Sequence, residues 1–566
     1  MLHRLPALAA AGGVALAGAF APLPATAQQA KDTLTIGLSQ FPSNLHPNIE
    51  SMVAKSWVLY TSHRPLTTFD PDWNLICVLC EELPDLAKGT AEEFTTAEGK
   101  RSIRVTFKLR EGLKWGDGTP VTSKDAAFTW QAGKDAKTGF ANNDLYVRRI
   151  KNVIVKDDRT FTIERDQFAC DYQNMSDYRL LPAHVEEPIY KADPDNYKSR
   201  TAYDTQTTNP ALYNGPFRIA ALERGSSITL EANPHWAGEK PRFKRVVVRA
   251  IESQPALEAN LLSGDIDYIA GELGLTLDQM LGLQKRLPSK YNYTYRPGLI
   301  YEHIDLKLDN PLLQDVRVRR ALLLAVDREG LTKELFEGKQ PVAHSNVNPI
   351  DKNFDPNVPK SAYDPAQAKK LLDEAGWKPG RDGIRVNAKG ERLSLEFGTT
   401  AGNTTRELVQ QALQAQWKDV GIEVVIKNEP ARVFFGQTMR ERKFSGLAMY
   451  AWSSSPEDPP RTTLHSTQIP TQENGWGGQN YMGYKSERMD KVLDGLVDTC
   501  PPGDPAPRKK LWAELQKIYA EDVPVLPLYF RVDPFAIPQL VSTIKPTGHQ
   551  YSSTMWMNEW GPTGAK

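Results

Sequence analysis

One stretch of this chain, residues 213–269, reads as a β-hairpin, a helix and a strand in succession. Residues 217–222 and 227–231 alternate apolar and polar side chains on either side of a turn that contains glycine, which predicts a hairpin. Ser253 can cap a helix that ends at Gly264, because glycine tolerates a positive φ angle. This order predicts one part of an α/β layer, and it contains no catalytic constellation.

The second half of the chain repeats this alternation. Asp364 precedes a proline and an apolar-periodic run that ends at Gly376, which predicts a capped helix. A further helix is expected over about residues 403–420, and a strand over residues 422–427. Since 566 residues exceed the size at which single cores split, we expect two or three α/β domains.

The N-terminus predicts export. Arg4 precedes an apolar run over residues 5–20, and Ala25-Thr26-Ala27 has the small-x-small pattern of a signal-peptidase site. We expect residues 1–27 to be a signal peptide and the mature chain to begin at Gln28. No later window approaches the roughly 18 apolar residues that a membrane span needs. The expected location is the periplasm.

Charge constrains the partners. The chain has 69 basic and 69 acidic residues, and removal of residues 1–27 takes away only Arg4, which leaves 68 against 69. A near-neutral chain has no bulk attraction for nucleic acid or for an anionic membrane surface. We therefore expect neither as a partner.

Four cysteines suit an oxidising compartment. Cys77 and Cys80 form a C-x-x-C pattern, but no second such pair accompanies it, so a zinc site or a redox pair is disfavoured. We expect a structural disulfide in which Cys77 or Cys80 pairs with Cys170. The sequence leaves open which of the two does so.

Three further segments carry a family resemblance. Residues 116–120 (GDGTP) lead into a helix that Thr122 and Asp125 can cap, residues 315–322 read DVRVRRAL, and residues 523–530 read VPVLPLYF. Together with residues 213–269, the chain resembles the solute-binding proteins of ABC importers, in the large oligopeptide, dipeptide and nickel-binding family. The resemblance covers nearly the whole mature chain.

The resemblance implies a fold. It is the two-lobed, hinge-closing α/β architecture of periplasmic binding proteins (type II), with an additional small inserted domain. The first lobe is expected to combine residues 28–70, 205–290 and 510–566. The inserted domain is expected over residues 71–204, and the second lobe over residues 291–509.

The resemblance also implies positions for the ligand site. The family's cleft loop after the first strand corresponds to Gln40 and Phe41 here, and Tyr213 and Asn214 are a further expected contact. Where relatives have a neutral amide, this chain has His303 and Asp305, which share one face of a predicted strand. Either the two side chains face the ligand, or they satisfy each other's hydrogen-bonding groups.

The most specific segment is residues 451–459, AWSSSPEDP. In peptide-binding members an Asp in this loop pairs with the ligand's α-amino group, and alignment on Trp452 puts Ser455 at that position. We expect Trp452 and Ser453 to line the cleft. Because Ser455 replaces a carboxylate, weak discrimination between free and acetylated amines is expected, and Glu457 and Asp458 are expected to face solvent.

The expected function is binding. The sequence contains no H-E-x-x-H, G-x-S-x-G, Walker or G-x-G-x-x-G motif, so no catalytic residue, metal site or cofactor is predicted. The resemblance implies a monomeric receptor that hands a peptide or peptide-like solute to an ABC permease and its ATPase subunits. A non-peptide solute (an opine, an oligosaccharide or a metal chelate) and ligand presentation to a chemoreceptor are the alternatives.

Overall fold

The structure is a computed structural model, and it describes residues 31–456, 458–499 and 506–564. The predicted signal peptide, residues 1–27, lies outside the described residues, and so does Glu457. Among the described residues, no helix is both long enough and apolar enough to cross a membrane.

Within the described residues, the strands form three main sheets and two short hairpins. In chain order they are β1 (Thr33–Leu38), β2 (Thr67–Phe69), β3 (Leu75–Cys77), β4 (Ala91–Thr95), β5 (Arg101–Lys108), β6 (Ile150–Val155), β7 (Thr160–Arg165), β8 (Phe217–Glu223), β9 (Ser227–Ala232), β10 (Arg245–Ala250), β11 (Tyr268–Ile269), β12 (Asn292–Leu306), β13 (Lys378–Pro379), β14 (Arg385–Val386), β15 (Ser394–Gly398), β16 (Glu423–Ile426), β17 (Leu447–Ser453) and β18 (Val525–Ile537).

The α-helices cover these sheets. They are α1 (Val53–Ser62), α2 (Ser123–Lys134), α3 (Ala183–Ala192), α4 (Tyr197–Arg200), α5 (Ala202–Thr205), α6 (Gln254–Ser263), α7 (Leu277–Arg286), α8 (Pro311–Gln314), α9 (Val316–Leu324), α10 (Arg328–Phe336), α11 (Pro365–Glu374), α12 (Thr404–Asp419), α13 (Ala431–Val433), α14 (Arg461–Leu464), α15 (Glu487–Asp498) and α16 (Ala506–Asp522). Short 3₁₀ or π-helical segments are Ala136–Thr138, Asp144–Arg149, Pro194–Asn196, Pro210–Leu212, Phe434–Met439, Ser466–Gln468, Gln539–Val541 and Ser553–Glu559.

The first lobe is built on a mixed sheet with the strand order β11-β1-β10-β9-β8. β1 lies parallel to β10 and β11, whereas β8, β9 and β10 run as an antiparallel meander. The predicted hairpin, helix and strand of residues 213–269 therefore occupy one layer, and Gly264 ends α6 with φ +84° as expected. The inserted domain has an antiparallel sheet with the order β4-β5-β7-β6.

The inserted domain shares a core with the first lobe. Leu34 and Ile36 of β1 belong to the same buried cluster as Val105 and Phe107 of β5. The predicted boundary at residue 70 falls inside the β2–β3 hairpin, whose strands pair Thr68 with Ile76. The two units are thus packed as one body on one side of the molecule.

The second lobe is a mixed sheet with the order β16-β15-β17-β12-β18. Helices α9, α11 and α12 pack on it, and their apolar faces fill a separate core around Phe397 and Trp417. Side-chain caps begin two of these helices: the Gln367 amide donates to Asp364 at 2.8 Å, as predicted, and the Arg317 amide donates to Asp315 at 2.8 Å.

One predicted domain boundary is wrong. Residues 510–537 were expected in the first lobe, but α16 packs with α15, and β18 pairs with β12 in the second sheet. The physical reason is the long antiparallel register of β18 along β12, which keeps this segment in the second sheet until Ile537. The chain returns to the first lobe only afterwards, where Val541 and Trp560 join the first core.

The expected disulfide to Cys170 is also wrong. Cys77 and Cys80 are bonded to each other, with their Cα atoms 5.2 Å apart. Cys170 is itself disulfide-bonded, so neither of the first two cysteines is available to it. Cys77 ends β3, and the residues after it turn sharply enough to bring the two thiols of the C-x-x-C together.

We expect truncation of Phe397 to destabilise the second lobe. This ring is fully buried on β15, and its centroid lies 5.5 Å from that of Trp417. Phe397→Ala should lower the free energy of unfolding by about 3–5 kcal/mol, because it removes a large buried side chain and leaves a cavity. Urea unfolding followed by circular dichroism measures this.

The matched control is Val425→Ala on the neighbouring strand β16, where the side chain is 51% exposed. It should change stability by no more than about 0.5 kcal/mol. Equal effects of the two variants would contradict this account of the core.

Candidate functional site

A cavity of about 220 Å³ lies between the two sides of the molecule. The first lobe and the inserted domain contribute the loop before α1, the π-helical segment Asp144–Arg149 and the loop over residues 170–179. The second lobe contributes the end of β17, the loop leading into α14, and β18. Lining side chains used below are Gln40, Glu50, Asp144, Arg149, Asp171, Asp177, Arg179, Glu272, Ile300, Arg406, Tyr450, Trp452, Ser453, Asp458, Arg461, Tyr481 and Arg531.

Aromatic rings form one wall of this cavity. Tyr450 and Trp452 are two residues apart on β17 and therefore share a face of the sheet, with ring centroids 5.5 Å apart. Trp452 stacks on Tyr481 at 5.8 Å and an interplanar angle of 27°. β17 is buried up to Tyr450 and partly exposed beyond it, so its end emerges from the core into the cavity.

His303 and Asp305 lie behind this wall and do not line the cavity. Both side chains are 1% exposed, His303 Nε2 is 3.3 Å from Asp305 Oδ1, and the Tyr450 hydroxyl donates to Asp305 Oδ2 at 2.6 Å. The pair is thus one layer removed from the cavity, where it fixes the orientation of Tyr450. His303 pairs directly with Tyr450, so His303 and Asp305 share a sheet face with the aromatic wall, but both are buried beside the Tyr450 ring and do not reach the cavity.

The residues expected from the first lobe divide in the same way. Gln40 lines the cavity, whereas Phe41 is buried in the first core. Tyr213 is also buried there, with its hydroxyl donating to the carbonyl of Thr207. Asn214 is buried as well, and its side-chain oxygen accepts from the Arg64 amide at 2.7 Å. Phe41, Tyr213 and Asn214 therefore support the scaffold and do not line the cavity.

The loop after β17 differs from expectation. Ser453 lines the cavity, but Ser455 is 2% exposed and does not. Asp458 is exposed, as expected, and it also lies along the cavity. Desolvation, followed by the neighbouring carboxylates of Asp177 and Asp171, raises the pKa of Asp458 to about 7 against the opposing charge of Arg149.

Asp458 is poorly satisfied by the protein. Among the described residues, no ion pair within 4 Å joins its carboxylate to a cation. The Ser455 hydroxyl is close enough to lower the pKa of Asp458, although no hydrogen bond of good geometry joins the two side chains. Asp458 is therefore the carboxylate most available to a cationic group in the cavity.

Other charged groups at the cavity are held in pairs. Arg461 of the second lobe donates from Nε to Asp144 of the inserted domain at 2.8 Å, so this pair spans the cavity. Arg149 donates to Asp171 at 2.5 Å. Burial by itself would raise the pKa of Asp171, but the positive charge of Arg149 outweighs it together with nearby arginines, and the pKa is lowered. The first of these pairs brings opposite sides of the cavity together, and neither pair uses the carboxylate of Asp458.

Glu50 marks a strained point in the cavity wall. Its φ of +65° is in the left-handed region, which is uncommon for a residue with a side chain. Buried Lys55 donates from Nζ to the carbonyls of His46 at 3.0 Å and Ile49 at 2.5 Å, and also to that of Glu50. The loop is thereby fixed from behind, and the Glu50 carboxylate accepts from the Ser43 hydroxyl at 2.6 Å.

Sequence reasoning missed most of the charged lining. Asp144, Arg149 and Arg179 belong to the inserted domain, and Arg406 and Arg531 belong to the second lobe. No motif surrounds any of them, and only the packing of distant segments brings them together. Asp458 had a local signal, its position in a Trp-containing loop before two prolines, but the direction of a loop side chain is not encoded in spacing.

The chain was compared with known proteins. Residues 84–470 match the family described as bacterial extracellular solute-binding proteins, family 5 Middle. An oligopeptide-binding protein, AppA of Bacillus subtilis (strain 168), is 26% identical over 508 residues, which cover 87% of this chain and 85% of that protein.

Solved structures agree on the fold. An oligopeptide-binding protein of Thermus thermophilus, complexed with a pentapeptide, is 30% identical with a TM-score of 0.85, and the match covers 94% of this chain and 96% of that one. AppA of Bacillus subtilis, in complex with a nonapeptide, is 24% identical with a TM-score of 0.83, covering 95% and 100%. The AppA structure shows that the two proteins share a fold with two α/β lobes. The chain belongs to family 5 of the bacterial extracellular solute-binding proteins.

Proposed function

We propose that this protein binds a peptide in the cavity between its lobes and delivers it to an ABC permease, without catalysing a reaction on it. The observation that carries the proposal is the combination of an aromatic wall at Trp452 with the unpaired carboxylate of Asp458 in one cavity. Family membership supports it, as do the oligopeptide-binding relatives. Export to the periplasm, a monomeric state and association with permease and ATPase subunits are parts of the same proposal.

The chemistry of the site suits peptides. An α-amino group can form a charge-assisted hydrogen bond with Asp458, and such a bond is stronger in a cavity that excludes water. The Trp452 ring offers an apolar face to side chains. Lobe closure about β12 and β18 would bury the ligand and present a closed form to the permease.

The direct test is to identify the bound solute. The purified protein is incubated with a pool of synthetic tri- to pentapeptides, washed and denatured, and the released molecules are measured by mass spectrometry. Retained peptides in stoichiometric amount support the proposal. Retention of none, release of a non-peptide solute from the protein as purified, or hydrolysis of the pool would overturn it.

Asp458 should select peptides with a free amine. We expect the wild type to bind free peptides about ten- to a hundredfold more tightly than N-acetylated ones. A hydrogen bond to a charged group contributes roughly 1.5–3 kcal/mol, which corresponds to this difference in affinity. The predicted preference revises the weak discrimination between free and acetylated amines that Ser455 led us to expect. Asp458→Asn should abolish the preference in competition binding, whereas Asp72→Asn, at an exposed turn, should keep it. A preference that survives in Asp458→Asn would show that another group holds the amine.

Amine binding should depend on pH. With a pKa of about 7, Asp458 is mostly neutral at pH 6 and mostly ionised at pH 8. A peptide α-amine loses its proton above about pH 8. Calorimetry should therefore show the highest affinity for free-amine peptides between about pH 7 and 8, with a fall of several-fold by pH 6. Acetylated peptides should show no such fall, and an equal fall for both forms would rule out Asp458 as its cause.

Trp452 should supply binding surface. Trp452→Ala should weaken binding of retained peptides by about ten- to a hundredfold, because it removes a large ring from the cavity wall and its stacking on Tyr481. Trp452→Phe keeps an aromatic face and should retain most of the affinity. Calorimetric affinities that are the same for the alanine and wild-type proteins would remove Trp452 from the site.

A further inference from the structure

The arginines at the cavity differ in what they contact. Arg406 is held by Glu302 through two hydrogen bonds, Nε to Oε1 at 2.6 Å and Nη2 to Oε2 at 3.2 Å, and its Nη1 donates to Thr400 at 3.0 Å. Arg461 is bonded to Asp144 at 2.8 Å. The hydrogen-bonding capacity of these guanidinium groups is largely used within the protein.

Arg531 is the exception on β18. It lines the cavity with 22% of its side chain exposed, and among the described residues it donates no hydrogen bond. Within the described chain, Arg531 Nη1 lies 3.9 Å from Oε2 of Glu302. This distance is too long for a hydrogen bond, so Glu302 leaves the N–H donors of Arg531 unsatisfied.

Two other carboxylates, Glu272 at the cavity and Asp533 on β18, accept no hydrogen bond from Arg531 within the described chain. Glu272 uses one oxygen for the Ser553 amide at 2.6 Å and the other for the Trp57 ring N–H at 3.0 Å. Asp533 is 2% exposed, and its Oδ1 has no hydrogen-bond partner in the described chain. Burial raises the pKa of Asp533 to about 7, so this carboxyl carries only part of a charge at neutral pH.

The backbone explains why Arg531 faces the cavity. Pairing of β12 with β18 is interrupted between Pro297 and Tyr301, opposite Val532 and Phe530. Such an irregularity redirects side chains, and Ile300 within it also lines the cavity. The two paired strands that link the lobes therefore place the backbone of Arg531 at the cavity wall.

We infer that Arg531 binds the carboxylate of the solute, and that the favoured ligands are short peptides with both termini free. A guanidinium offers planar, paired N–H donors that match a carboxylate in two parallel hydrogen bonds. The inference rests on the proposed peptide-binding function, in which Asp458 holds the amine. Arg531 then supplies the complementary charge in the same cavity.

The test compares peptide acids with their amides. The pool of tri- to pentapeptides is prepared as free acids and as C-terminal amides, mixed in equal amounts, and the peptides retained by the protein are counted by mass spectrometry. The wild type should retain the acids in about ten- to a hundredfold excess. Arg531→Gln should bring this ratio close to one while still retaining peptides, and Arg531→Lys should give an intermediate ratio, because it keeps the charge but loses the planar donor pair.

Arg381→Gln is the control, because Arg381 is exposed and outside the cavity. It should keep the wild-type ratio, and thermal unfolding should show that Arg531→Gln is folded. A wild type that retains peptides but does not distinguish acids from amides would overturn the role of Arg531 and leave the proposed function standing. So would an unchanged ratio in folded Arg531→Gln. Failure of the wild type to retain any peptide would overturn both.

Discussion

The antiparallel pairing of β12 with β18 is the interaction on which the rest of the structure depends. At one end, Asn292–Pro297 pairs with Val532–Ile537 beside the cores of the first lobe. At the other, Tyr301–Asp305 pairs with Val525–Phe530 within the second sheet. Main-chain hydrogen bonds make each end stiff, while the interrupted register between them is the one place where both strands pass the cavity.

Most of the charged side chains at the cavity are buried or half-buried, and that decides which of them a ligand can use. Removal of charged groups from water is costly, so most carboxylates and guanidinium groups there are matched by a partner. The pair of Arg461 with Asp144 joins the second lobe to the inserted domain, and the pair of Arg406 with Glu302 lies wholly in the second lobe. Among the described residues, Asp458 and Arg531 are left without a hydrogen-bonded ion-pair partner, so they are the charged groups that a ligand can satisfy.

The buried layer behind the cavity matters as much as the cavity wall. Asp305 orients Tyr450, Lys55 holds the loop that carries Glu50, and Asn214 fixes the chain at Arg64. These side chains have polar atoms that must be paired when buried, and the pairing gives the loops around them a single arrangement. Rigid loops of this kind leave little ordering entropy to be lost when a ligand binds.

Local features of the fold were predictable from the sequence. The hairpin of β8 and β9, the capping box of Thr122 and Asp125, and the glycine after α6 depend on neighbours within a few residues, so their geometry follows from local spacing. Gln40, Trp452 and Ser453 were placed at the cavity by a different route, the family resemblance of the loops that carry them. Their contact with a ligand remains a prediction.

The sequence by itself determined the α/β class, the two-lobed family and several residues of one cavity wall. Tertiary structure alone decided that β18 stays in the second sheet, that Cys77 pairs with Cys80, and that Asp458 rather than Ser455 faces the cavity. Each of these depends on contacts between segments far apart in the chain or on the path of a loop. Spacing fixes which side chains share a face of a strand, but only packing fixes which face is turned to the core and which to the ligand.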